Sequence, residues 1–179
     1  MTVTREQLTA LWGADGLLSF PAGLFDDVLG PLGDGVLPPE NLFPAHVPIL
    51  FDAAVEVEGL ELFSKMKIEI GDEGPRIYIV LGSSPENPSL LFCLEAETGV
   101  VILLDLATPN FEQVNATFAA FVEFLYRLGQ LIETDPGGRE RAVRARQIRG
   151  TLMAVDSSAF VDPEAWWSMA FDELESTGG

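Results

Sequence analysis

The sequence predicts an α+β fold: a single domain spanning 1–179, with an antiparallel β-sheet flanked by helices. Three observations carry this. Between 47 and 106, apolar runs of strand length are joined mostly by short turns. Residues 100–106, VVILLDL, are apolar at nearly every position. Both faces of that strand therefore need cover, and a helix must lie over the sheet. Beyond it the apolar period becomes 3.6, with Phe118, Phe121, Val122, Leu125, Leu128 and Ile132 on one helical face.

From the start of the chain, Thr4 and Gln7 have the spacing of a capping box, and Val3 is placed to staple onto Leu8. Leu8, Leu11 and Trp12 make one apolar face, and Gly13 ends the helix. Residues 13–48 are rich in Gly and Pro, which predicts irregular structure with one short helix near 24–29. A loop this long is either functional or a wrap over the core. Strands are expected over 47–57 and 63–70, the latter with Met66, Ile68 and Ile70 inward and Lys65, Lys67 and Glu69 outward. Gly71 to Gly74 reads as a turn before a strand at 76–81. Strands at 90–95 and 100–106 are joined by Ala96-Glu97-Thr98-Gly99, where Gly99 supplies a positive φ. Asn115 or Thr117 can cap the helix that runs to about 132. A further helix is expected from 139 to about 150. Asp162-Pro163-Glu164 reads as another helix start, followed by an apolar stripe of Trp167, Ala170, Phe171 and Leu174. Residues 137–179 are thus predicted to be helical.

Composition narrows the function. The 179 residues carry 28 acids against 10 bases, a formal net charge of -18. Nucleic-acid binding needs Lys and Arg to neutralise phosphates, and an anionic membrane surface needs them equally, so neither partner is expected. A basic protein partner suits the charge, as does plain solubility. Cys93 is the single cysteine, which excludes an internal disulfide and fits a reducing compartment. The first twelve residues do not have the pattern of a secretory leader, and no apolar run reaches the length of a membrane span. A cytoplasmic protein is expected.

No constellation in the chain specifies catalysis. His46, the only histidine, and Cys93 are far apart in sequence; a Cys–His pair is conceivable, but Cys93 sits in an apolar strand where thiols are inert. Metal-ligand spacings, a phosphate loop and a nucleophile elbow are all missing, and no cofactor is expected. Arg139, Arg141, Arg144, Arg146 and Arg149 hold half of the positive charge and read as a solvated helix face that neutralises nearby acids, with Glu140 and Arg144 an i, i+4 pair. The candidates for contact with a partner are Asp26, Asp27 and Asp34 in the early loop, Asp72 and Glu73 at a turn, and Glu95 and Glu97 near the hairpin. To these is added Trp166, the member of the Trp166-Trp167 pair expected at the edge of the core.

The hairpin carrying Thr98-Gly99, the strand ending in Asp105, and the segment Val114-Asn115-Ala116-Thr117-Phe118 continuing through Phe121-Val122-Glu123-Phe124-Leu125 together resemble the SUKH superfamily. More narrowly, they are similar to its fourth subgroup of immunity proteins. Leu37-Pro38 in the early loop and the late tryptophan-containing helix fit the same pattern. The resemblance implies a bacterial immunity protein that binds a cognate toxin domain, often a nuclease or nucleic-acid deaminase, and blocks it without catalysis. It assigns no particular residue to the interface. Apart from that resemblance, a regulatory or scaffold module for a host protein is the alternative, and an enzyme with an acidic pocket is a third reading.

Overall fold

The computed structural model describes residues 3–30, 32–69, 72, 74–108, 110–135 and 137–176. Thr4 caps α1 (Arg5–Trp12) through the expected reciprocal box with Gln7, and Gly13 closes it at φ 75°. Val3 and Leu8 are both buried in the main core. The Val3 N–H donates to the Glu123 carboxylate at 3.1 Å, tying this end of the chain to the central helix.

The 13–48 segment is a wrap over the core. It is more ordered than its Gly/Pro content predicts, because β1 (Leu17–Ser19) and β2 (Leu42–Pro44) form a two-stranded antiparallel sheet. In place of the helix expected near 24–29 there is one 3-10 turn over Ala22–Phe25. Phe20, Phe25 and Phe43 from this segment are buried. Phe20 and Phe43 each pack a ring against Phe118, at 5.6 Å between centroids. Burial of three aromatic rings outweighs the segment's poor helix and strand propensity.

The main sheet is antiparallel in the order β3 (His46–Val47), β4 (Phe51–Asp52), β6 (Pro75–Ser84), β7 (Asn87–Glu95), β8 (Val101–Asp105) and β9 (Asn110–Asn115). β5 (Lys65–Glu69) pairs with the first half of β6, and β4 meets the same edge further along, at Ser83. The strand expected over 47–57 is a correction. It is reduced to the two-residue β3 and β4, because Pro48 has no N–H to donate and Ile49 turns the chain at φ 74°. In β5, Met66 and Ile68 face inward and Lys65, Lys67 and Glu69 face solvent, as the alternation requires. Ile70 and parts of the following turn lie outside the described residues. β9 was not anticipated, because NFEQVN has too few apolar residues to alternate visibly.

Thr117 caps α2 (Phe118–Glu133), accepting a hydrogen bond from the Ala120 N–H at 3.0 Å. α2 is buried over most of its circumference, between the sheet on one side and α1 and α3 (Gly138–Val155) on others. Val101 and Leu103 of β8 face this helical layer. Ile102 and Leu104 face a second cluster with Tyr78, Val80, Leu91 and Cys93. Both faces are covered, but the second cover is Met66 and Ile68 of β5 with Val55, Val57 and Leu60 of the preceding loop, and no helix. At a bulge in β6, Gly82 passes so close to β4 that an added Cβ would lie 2.5 Å from the Asp52 carbonyl oxygen.

α4 (Trp166–Glu175) starts three residues later than Asp162-Pro163-Glu164 suggests. Asp162 instead closes a local turn, accepting from the Glu164 N–H at 2.8 Å. Behind α4 lies a buried polar network. The Asp156 carboxylate accepts from the Asn115 side chain and the Ala116 N–H, and Asn115 in turn accepts from the Trp167 indole N–H at 2.8 Å. This network joins β9, the end of α3 and α4.

Candidate partner-binding surface

Antiparallel pairing places the start of β6 beside the end of β7, so the β5–β6 turn and the β7–β8 turn share one end of the sheet. The early wrap is fastened to that end. The Gly30 N–H donates to the Ala96 carbonyl at 3.0 Å, and the Ala119 N–H at the start of α2 donates to the Val36 carbonyl at 2.8 Å. Gly99 has the expected positive φ of 80° and lies against Val36, where a Cβ would collide. Asp26, Asp27 and Asp34 are therefore carried on a loop anchored to the turn that carries Glu97. Asp72 occupies the neighbouring turn, and all five are exposed. Glu73 lies outside the described residues.

Glu95 does not belong to this exposed set. It is 5% exposed, and its Oε1 lies 2.6 Å from an Arg76 guanidinium nitrogen. Strand alternation puts it on the same face as Cys93, at the end of the second cluster, where Arg76 neutralises it. Its carboxylate is enclosed by the chain's own cation and is not presented outward.

The remaining candidates separate cleanly. Cys93 is fully buried, and burial pushes its thiol up to about 12; His46 is exposed, with its Nδ1 3.5 Å from Asp52. A protonated thiol sealed in the sheet is no nucleophile. Among the described residues no group of His, Cys, Asp and Glu is arranged to hold a metal ion. Three of the five helical arginines are engaged with acids as expected. Arg144 meets Glu140 at 2.7 Å, Arg141 meets Asp135 at 3.6 Å, and Arg149 bridges Asp172 and Glu175 while lying over the Phe160 ring. No helix among the described residues is long and apolar enough to cross a membrane.

The SUKH-4 immunity protein model matches residues 3–173. The chain belongs to the SUKH-4 immunity protein family. No curated protein and no solved structure matches it. Membership in this family implies toxin immunity and a cognate toxin protein as partner. The SUKH-4 fold in this chain thus has a mixed sheet-and-helix body whose acidic turns are outward and whose cations are largely paired on α3.

A second feature of this SUKH-4 chain escaped sequence reasoning. Trp166 lies away from the acidic turns, on the helical side of the sheet. Its ring packs edge-on against Phe92 at 5.6 Å, and its indole nitrogen is buried with no hydrogen-bond acceptor among the described residues. Beside it is a hollow of about 250 Å³ lined by Leu90, Leu103, Asp105, Phe111, Glu112 and Trp166. Burial raises the Glu112 carboxyl above its ordinary value; the Trp166 backbone N–H partly offsets this, and the charge of Asp162 adds to it. Asp105 is held below its ordinary value by hydrogen bonds from the Thr108 hydroxyl and the Ala107 N–H. The only sequence signal for this place was Trp166 itself. Glu112 and Phe111 sit on the strand that the apolar pattern did not reveal.

Proposed function

We propose that this chain is a cytoplasmic, non-enzymatic immunity protein that neutralises a basic toxin domain by stoichiometric binding. Family membership over residues 3–173 carries the reading. The net charge of -18 supports the basic character of the partner. A nuclease or nucleic-acid deaminase must present Lys and Arg to phosphates, and an acidic inhibitor gains both on-rate and orientation against such a surface. The exposed acids Asp26, Asp27, Asp34, Asp72 and Glu97, with Glu73 next to Asp72 in sequence, are the proposed steering surface. Inhibition by occlusion requires no catalytic group, and the enclosed Cys93 fits that mode.

The test is a tagged pull-down from the native cytoplasm at low and high salt, with bound proteins identified by mass spectrometry. Stoichiometric recovery of one basic toxin domain at low salt, weakened at high salt, is expected. Recovery of an endogenous regulatory or envelope protein instead would replace immunity by a scaffold role. Growth rescue against the recovered toxin then tests the surface. If rescue survives reversal of Asp26, Asp27, Asp72 and Glu73 together, that surface is not the interface, while immunity itself stands.

A further inference from the structure

Among the described residues, the main sheet leaves three strands with an unpaired edge: β3, β5 and β9. Two of these edges are poorly suited to further pairing. β3 is two residues long and runs into Pro48. β5 exposes Lys65 and Lys67, the only lysines in the chain, and charged residues on an edge oppose pairing. β9, NFEQVN, has neither lysine nor proline. Two hydrogen bonds fix which way its backbone points. The Leu106 N–H donates to the Ser89 carbonyl, and the Glu95 N–H donates to the Val100 carbonyl. Antiparallel alternation therefore turns the backbone of Ile102 and Leu104 toward β7, and that of Leu103 and Asp105 toward β9. Leu103 lies opposite Glu112 and Asp105 opposite Asn110, so the N–H and C=O groups of Phe111 and Gln113 point away from the sheet. None of these four groups meets a hydrogen-bond partner among the described residues. Both residues are exposed, Phe111 at 45%. The 157–160 turn reaches this edge only through a side chain, Gln113 Nε2 donating to the Ser158 hydroxyl at 3.1 Å. Asp156 meets the strand further on, at Asn115 and Ala116.

We propose that β9 accepts an extended segment of the toxin domain as an added strand, hydrogen-bonded to the backbone of Phe111 and Gln113. The inference rests on the immunity reading and names how the partner docks, with the acidic turns left to steer. An unpaired edge supplies affinity through its backbone, and pockets for alternate side chains supply specificity. On the face of Phe111 the added strand meets a hollow of about 250 Å³ lined in part by Val100, Ile102 and Phe111 itself. On the opposite face lies Glu112, with Asp162 close enough to act on its charge. Charge selects the occupant. Residues 77–126 and 150–179, which build and flank β9, contain no Lys or Arg. A second copy of this chain would bring more acids to the edge and no cation to answer them, so like charges oppose self-pairing. A strand from a basic domain brings the missing cations.

Amide hydrogen exchange on the full chain, read residue by residue by NMR, tests the edge. In the free chain Phe111 and Gln113 should exchange at least about tenfold faster than Leu103 and Glu112, whose N–H groups are held in the sheet. Slow exchange at both Phe111 and Gln113 would mean that the edge is already paired, and overturns the proposal. The toxin domain identified by pull-down is then purified and added, and protection of both amides by at least about tenfold is expected. Stoichiometric binding with unchanged exchange at both overturns the added strand and leaves immunity standing. Phe111→Pro gives a second readout. The Phe111 N–H points outward, so proline removes no bond of the sheet but denies one to an added strand, whereas Phe111→Ala keeps that N–H. With folding checked by circular dichroism, Phe111→Pro should bind the toxin at least about tenfold more weakly than Phe111→Ala. Equal affinity of the two folded variants overturns backbone pairing. If wild type does not bind the toxin, the immunity reading fails and the occupant with it. Sedimentation of the chain alone should show a monomer; a dimer that Phe111→Pro dissociates would assign the edge to a second copy and overturn the toxin strand.

Discussion

Three acids in this chain show how burial and partners set the role of a carboxylate. Glu95 is buried and answered by Arg76, so it closes the end of the second cluster. Asp156 is buried and answered by four donors, the Asn115 side chain, the Ala116 and Ser158 N–H groups and the Ser158 hydroxyl, so it locks β9 to the helices. Glu112 is half-buried and answered only by the Trp166 backbone N–H, so burial holds its carboxyl above the ordinary value. Substituting Asp156→Ala leaves several buried donors unsatisfied and should cost about 3 kcal/mol in urea unfolding. Glu112→Gln should instead leave the melting temperature at pH 7 unchanged or raised, since it removes an opposed, desolvated charge. Cys93 provides a pH signature. Its folded thiol is pushed up from an ordinary 9.0 to about 12, so above about pH 9 only the unfolded chain releases the proton. Stability from this group is complete below that pH and falls as pH rises toward 12. Under native conditions at pH 8, Cys93 should react with a thiol reagent no faster than the chain unfolds.

At the scale of elements, the β7–β8 hairpin organises more than its own two strands. Its turn receives the early wrap at Ala96 and at Gly99, and through Val36 that wrap reaches the first turn of α2. Gly99→Ala should therefore cost about 2 kcal/mol, from the positive φ and from displacement of Val36. The same change should loosen residues 28–36, which hydrogen exchange would register as faster exchange at Gly30 and Ala119. Thr117→Ala removes a single cap and should cost about 1 kcal/mol, with the loss confined to α2. Unequal reach of the two variants in hydrogen exchange would establish the hairpin as the junction between wrap, sheet and helix.

Over the whole molecule, charge is segregated. Half of the positive charge sits on α3, where three of its five arginines are paired with Asp135, Glu140, Asp172 and Glu175. The strands from 77 onward and the chain after 149 have none. The field outside the sheet ends is thus negative and weakly compensated. Association with a basic partner should be fast at low salt and should slow steeply as ionic strength rises. Reversing Asp26, Asp27, Asp72 and Glu97 should lower the association rate by about tenfold or more with little change in dissociation. Stopped-flow association across a salt series would measure both, and a rate indifferent to salt would contradict steering.

Local pattern was enough for much of this protein. The capping box on α1, the alternation of β5, the Gly99 turn, the doubly covered β8, the period of α2 and the core position of Trp167 were all legible. Each is enforced by neighbours within a few residues, through backbone geometry or through the period of apolar side chains. Family membership was legible for the same reason, since the motifs that carry it are core and turn signatures. Other features depend on partners distant in sequence. Phe20, Phe25 and Phe43 make the Gly/Pro-rich wrap part of the core, Arg76 encloses Glu95, and Asp156 diverts Asn115 from capping α2. β9 exists because β8 supplies its hydrogen bonds, although its own residues hardly alternate. The hollow beside Trp166 is assembled from β7, β8, β9 and α4, which lie far apart along the chain. A sequence read in windows contains every one of these residues, but only tertiary folding sets which of them meet, because burial and charge compensation are properties of neighbours in space.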